Sequence, residues 1–191
     1  MVKVIWEKNK FDRGGKKKMK RLLLFVTSVV LAFGLTSCSG IGREFDLFRN
    51  DEAIADEYCE EIIDALENQD TDKLKSMFST SALAEAENID EGLAYVMDFF
   101  QGETTLIDGG CSTSESVDHG EKTIRLEGRY WVTTDKDEYF IFFVYDDVDT
   151  ENPDNVGLYM LQIVKASEAE EQVDWVGKPY IAGIWQPDET A

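Results

Sequence analysis

The chain has 191 residues, with 19 Lys and Arg against 39 Asp and Glu, giving a formal net charge of −20 at pH 7. Nucleic acid is bound through neutralising Lys and Arg contacts, so this balance argues against a nucleic-acid partner. One histidine and three cysteines leave little for a zinc site of nitrogen and sulfur ligands, and no metal or other cofactor is expected.

Residues Lys16 to Arg21 are densely basic, and LLLFVTSVVLAFG (22–34) follows without a charge. A basic flank and an apolar run, shorter than the roughly 20 residues a spanning helix needs, read as a signal peptide. Leu35-Thr36-Ser37-Cys38 then resembles a bacterial lipobox. The resemblance implies that the Cys38 thiol takes a diacylglycerol and that the mature chain starts there. Two acyl chains hold a protein on a membrane without a spanning helix. The expected location is extracytoplasmic, on the outer face of the bacterial cell membrane, anchored through the lipid on Cys38. Residues 1–37 are the expected leader. Its first part, 1–18, suits a signal peptide poorly, and Met19 is the better start. Residues 1–37 hold nine basic and two acidic residues, which leaves 10 and 37 in Cys38–Ala191, a net charge of −27. Cationic or basic partners suit such a surface, and the same charge keeps an exposed domain soluble.

Residues 38–50 read as a lipidated tether and 51–191 as a single domain. DEAIADEYCEEIIDALENQ carries Ile54, Tyr58, Ile62 and Leu66 at helical spacing, with Asn50 or Asp51 as its cap. A second short helix runs through Leu74, Met77 and Phe78, capped by Thr71 or Asp72. SALAEAEN forms a third, and a fourth follows Asp90 with Leu93, Val96, Met97 and Phe100 on one face. TTLIDGG is a short strand candidate, and CSTSESVDHGEK reads as irregular edge or loop. From Lys122 the period becomes two: Ile124, Leu126, Tyr130 and Val132 point one way, Arg125, Glu127, Arg129 and Thr133 the other. EYFIFFVYDDV reads as a strand buried on both faces. The turn DTENPDN leads into GLYMLQIVKA, and a last strand spans roughly 180–185. Helices followed by an antiparallel meander give the α+β class.

Two sets of residues carry a resemblance. IADEYCEEIIDALENQDTDKLKSMFS is similar to the opening of nuclear-transport-factor-2-like (SnoaL-like or cystatin-like) domains. FFQGE (99–103), DTENPDNVGLY (149–159) and YIAGIW (180–185) resemble Gram-positive lipoproteins classed as domain of unknown function 5104. The resemblance implies N-terminal helices on a curved antiparallel sheet that forms a cone with an apolar cavity. It carries no assigned activity, although the superfamily often dimerises through its sheet. Some of its enzymes pair a carboxylate base with a Tyr or Asp donor in the cone. Asp98, Tyr130, Tyr145 and Trp185 are the candidates to line such a pocket here.

Other chemistry is sparse. His119 sits in a Gly- and Ser-rich segment and reads as an exposed loop residue. Asp147, Asp149, Glu151 and Asp154 offer hard oxygen ligands, but Glu151 and Asn152 break the calcium-loop pattern, and Asx turns around Pro153 explain the run. Cys59 falls on the apolar face of the first helix, and its separation from Cys111 is not diagnostic of a bridge. The function expected is binding of a small molecule or a protein through the cone-shaped domain, without catalysis. Proton-transfer chemistry in the cone and a protein-interaction or inhibitor module using the sheet face are the alternatives.

Overall fold

The first described helix, α1 (Asp51–Glu67), starts at Asn50, whose side chain accepts from the Ala53 N–H at 3.3 Å. Asp51 and Glu52 lie in its first turn, where the helix dipole favours negative charge. The computed structural model describes residues 49–173 and 178–186. The leader, Cys38, nearly all of the tether and Trp175 lie outside the described residues. The helix ends at Gln69, a non-glycine residue at φ 55°, held there because its side-chain amide donates to the carbonyls of Leu66 and Met97. Helix α2 (Thr71–Met77) is capped by Asp70, not by Thr71 or Asp72: the Asp70 carboxylate accepts from the Lys73 N–H at 2.9 Å. Helix α3 (Thr80–Glu85) has Ser79 as its cap, and α4 (Ile89–Phe99) buries Leu93, Val96 and Met97 as its spacing predicts.

Five strands follow in the order β1-β2-β3-β4-β5: β1 (Thr104–Asp118), β2 (Glu121–Thr134), β3 (Glu138–Asp149), β4 (Gly157–Lys165) and β5 (Gly183–Trp185). Helices first and then a curved, mostly antiparallel sheet make the class α+β, as expected. Two expectations need correction. The segment from Cys111 to Asp118 is not irregular, because it continues β1 in unbroken register with β2, from Cys111↔Gly128 to Asp118↔Glu121. His119 (φ 51°) and Gly120 (φ 96°) supply the two positive φ angles of a tight two-residue hairpin turn, which fixes that register. The last strand is three residues long and runs parallel to β4, pairing Met160 with Gly183, so the meander is antiparallel only through β4.

From Asn50 onward the chain forms one compact unit. Strand β3 is buried on both faces. Tyr139, Ile141, Phe143 and Tyr145 pack towards the helices with Ile62, Leu66 and Leu93. Phe140, Phe142 and Val144 face the other way and join Met160 and Val164 in a second cluster. That cluster is covered by Ala169 of the short helix α5 (Ala169–Gln172) and by Val173, Tyr180 and Trp185. The first cluster is the core between the sheet and the helices. Among the described residues no helix is long and apolar enough to cross a membrane.

Candidate functional site

Two bulges shape the end of the sheet that faces α3. Ile124 pairs with Val148 but Arg125 with Asp146, which leaves Asp147 as the extra residue of β3. Val144 pairs with Met160 but Tyr145 with Leu158, which leaves Tyr159 as the extra residue of β4. A bulge bends its strand and re-aims a side chain, and both bulged residues are placed in polar constellations here.

Tyr159 lines the first. Its hydroxyl donates to Glu85 at 3.1 Å, and its ring lies 5.7 Å from the Arg125 guanidinium. Arg125 in turn grips Asp146 with two bonds, Nε to Oδ1 at 2.6 Å and Nη2 to Oδ2 at 2.8 Å. That fork is the strong form of a charge-assisted pair, and it raises the Arg125 pKa further. Together with Asn155, Lys178 and Tyr180 these residues surround a depression of about 410 Å³. A second depression of about 420 Å³ shares Glu85 and Tyr180 with it and is lined by Ile89, Ile181, Ala182 and Ile184. Sharing those two residues, they adjoin as one groove, polar at the Arg125 end and mixed at the Ile89 end, where Glu87, Asn88 and Gln186 join the apolar side chains. Burial, then a hydrogen bond with Glu127, pushes the Tyr180 phenol up to about 12, so it stays a neutral donor at any physiological pH.

Asp147 belongs to the second constellation, accepting from the Tyr58 hydroxyl at 3.3 Å. The Tyr58 ring stacks on Tyr145 with centroids 3.7 Å apart, and burial raises both phenols. The third lies between α1 and β1. Tyr130 Oη donates to Asp56 Oδ1 at 2.8 Å, at the rim of a cleft of about 240 Å³ lined also by Glu60, Ile107, Asp108 and Gly109. Burial and then that bond raise the Tyr130 phenol.

The four residues read from sequence as pocket-lining are thus spread over three places. Tyr130 and Tyr145 both point into the helix-side core, buried and bonded as described. Asp98 is exposed on α4, and its backbone carbonyl accepts from the Gln101 side chain. Trp185 is half-buried against the outer cluster with Phe142 and Met160. They do not line one cavity. His119 is exposed at the hairpin tip beside Asp118. The Asp149 carboxylate is engaged by its own turn, accepting from the N–H groups of Glu151 and Asn152 and from the Asn155 side chain, with backbone bonds the first cause of its lowered pKa. Cys59 is buried and Cys111 half-buried, both as free thiols.

Sequence reasoning missed Arg125, Asp146 and Asp56. Arg125 and Asp146 were placed on strands, but their facing depends on a bulge that shifts register by one. Asp56 and Tyr130 lie 74 positions apart, and only the packing of α1 on β2 joins them.

Residues 61–166 match the family described as Domain of unknown function (DUF5104). No curated protein matches the chain.

Proposed function

The chain belongs to the DUF5104 family, and from that premise we infer that it is a lipid-anchored, extracytoplasmic binding domain, held at the membrane by a diacylglycerol on Cys38. The fold is read as nuclear-transport-factor-2-like, with a small molecule or a protein segment as ligand and no catalysis. The observation that carries the reading is the outer groove. It combines a polar end at Arg125, Tyr159 and Lys178 with a mixed end where Ile89, Ile181 and Ile184 stand among Glu87, Asn88 and Gln186, and apolar side chains with placed polar groups are the makeup of a ligand site. Tyr139, Ile141 and Phe143 are buried between the sheet and the helices, which supports a ligand held outside that core. Asn155 and Tyr159, both inside the family match, line the groove.

The enzyme alternative has one observation in its favour, the Tyr130–Asp56 bond. A carboxylate becomes a base near neutral pH through burial, and Asp56 is exposed, which weighs for binding. Self-association through the sheet is part of the reading, with Trp131, half-exposed on the outer face, as its natural contact.

Native mass spectrometry of the acylated protein tests this. A bound species that is lost in Ile181→Glu but kept in Glu115→Gln supports the groove. A bound species indifferent to Ile181→Glu counts against it.

A further inference from the structure

Strand β1 is an edge strand of 15 residues, Thr104–Asp118, bonded to β2 along one side. At about 3.3 Å per residue it is on the order of 50 Å long. Alternate residues of an edge strand turn their N–H and C=O outward, about seven residues here. Natural edges are blunted by a bulge, which β1 has only at its start between Thr104 and Leu106, by a covering helix, by brevity, and by proline or lysine. The sequence TTLIDGGCSTSESVD has neither residue, whereas the opposite edge, β5, is only three residues long.

Helix α1 lies beside this edge and runs against it. Glu52 approaches Gly110, Asp56 bonds Tyr130 (the register partner of Gly109), and Glu67 accepts from the Thr104 N–H. From Glu52 to Glu67 a helix rises about 22 Å, and from Gly110 to Thr104 a strand spans about 20 Å. The two elements are therefore aligned over that length. Glu52, Asp56 and Glu60 stand four residues apart, which puts them in one stripe along the strand. The helix contains no Lys or Arg, and a cleft of about 240 Å³ lies between stripe and strand.

We propose that the open edge of β1 docks an extended, Lys- or Arg-bearing segment of another protein as a sixth strand, with its basic side chains under the carboxylates of α1. The backbone of β1 supplies the hydrogen bonds of strand addition. Side chains alternate along a strand, so every second residue of the segment faces Glu52, Asp56 and Glu60, while Asp108, opposite Trp131, lies on the other face of the sheet. Basic residues there are attracted, and acidic ones are repelled. The same electrostatics disfavours a second copy of this chain, whose β1 would offer the α1 carboxylates a strand with only acidic charges, Asp108, Glu115 and Asp118. This surface is separate from the outer groove and does not rest on it.

The test uses the full chain in detergent, titrated with synthetic decapeptides and followed by fluorescence anisotropy. An alternating Thr-Lys peptide is expected to bind at least about tenfold more tightly than an alternating Thr-Glu peptide, and less tightly as salt rises. Two N-methylated forms of the Thr-Lys peptide, one on every Lys amide and one on every Thr amide, each block a single hydrogen-bonding edge. One is expected to lose at least about tenfold in affinity and the other to keep it. The double substitution Glu52→Lys and Glu60→Lys, both on exposed positions, is expected to weaken binding by about tenfold or more. Equal affinity of the two methylated forms overturns strand addition, and unchanged affinity in the double variant overturns the role of the stripe. Self-association of the chain that the Thr-Lys peptide disrupts would assign the edge to a second copy and overturn the proposal.

Discussion

The ring of Phe143 occupies the space that a side chain on Gly128 would need. The two residues are directly opposite on β3 and β2, and a Cβ on Gly128 would overlap the ring. Tyr130 then lies parallel to Phe143 at an interplanar angle of 4°. Gly128→Ala is expected to destabilise the domain by about 1–3 kcal/mol through overpacking. Urea denaturation measures it, and a midpoint equal to wild type would show that the ring moves aside without cost.

The Tyr130–Asp56 bond ties α1 to the sheet near solvent, so its contribution is modest. Tyr130→Phe is expected to cost about 0.5–1.5 kcal/mol. Asp56→Asn keeps an acceptor and should cost less. A double-mutant cycle gives the coupling, and additive effects would show that the bond contributes nothing.

Arg125→Met removes the partner of Asp146, a carboxylate whose side chain is 13% exposed. Breaking a pair with one largely buried member is expected to cost about 2–4 kcal/mol, somewhat below a fully buried pair because Arg125 is 38% exposed. Adding Asp146→Leu should recover part of the loss, since no charge is then left behind. Thermal melts of the three variants decide it. A double variant weaker than the single would mean that Asp146 serves another partner.

Cys59 gives a pH signature. Burial, then the nearby charges of Asp56 and Glu60, pushes its thiol from an ordinary 9.0 to about 12. A group whose folded pKa is raised contributes stability below its unfolded pKa and loses it as pH rises towards the folded value. Stability is therefore expected to fall between pH 9 and pH 12, and Cys59→Ala should flatten the first part of that fall. Urea midpoints measured across that range test it, and identical slopes for variant and wild type would refute the assignment.

Membrane attachment is expected to rest on Cys38. Cys38→Ala should abolish labelling by a fatty-acid analogue, because in the proposed reading Cys38 is the residue that carries the lipid. Labelled protein in the variant would move the lipid elsewhere.

Much of this architecture is legible in the sequence, because burial leaves a periodic trace. Ala55, Cys59, Ile62 and Leu66 mark the face of α1, and Ile124, Leu126, Tyr130 and Val132 mark that of β2. Strand β3, buried on both sides, shows as an unbroken apolar run. The second half of β1 leaves no such trace: Ser112 to Ser116 are exposed on both faces, and their strand geometry comes from the partner β2. The parallel setting of β5 is decided by packing distant in sequence. The groove was illegible for a similar reason. Tyr159 reads as a core strand residue, and only the bulge at its own position turns its hydroxyl to Glu85.

The segment by which the family is recognised and the segment that folds are different lengths of chain. The family match opens at residue 61, inside α1, and closes at residue 166, directly after β4. Cutting the chain at those limits would discard Ala55 and Cys59 from one side of the sheet and Ala169, Val173, Tyr180 and Trp185 from the other. Phe140, Phe142 and Met160 would then meet water. The two ends outside the match are, in mechanical terms, the domain's lining and its lid, so a fragment trimmed to residues 61–166 is expected to precipitate under conditions where the longer chain does not.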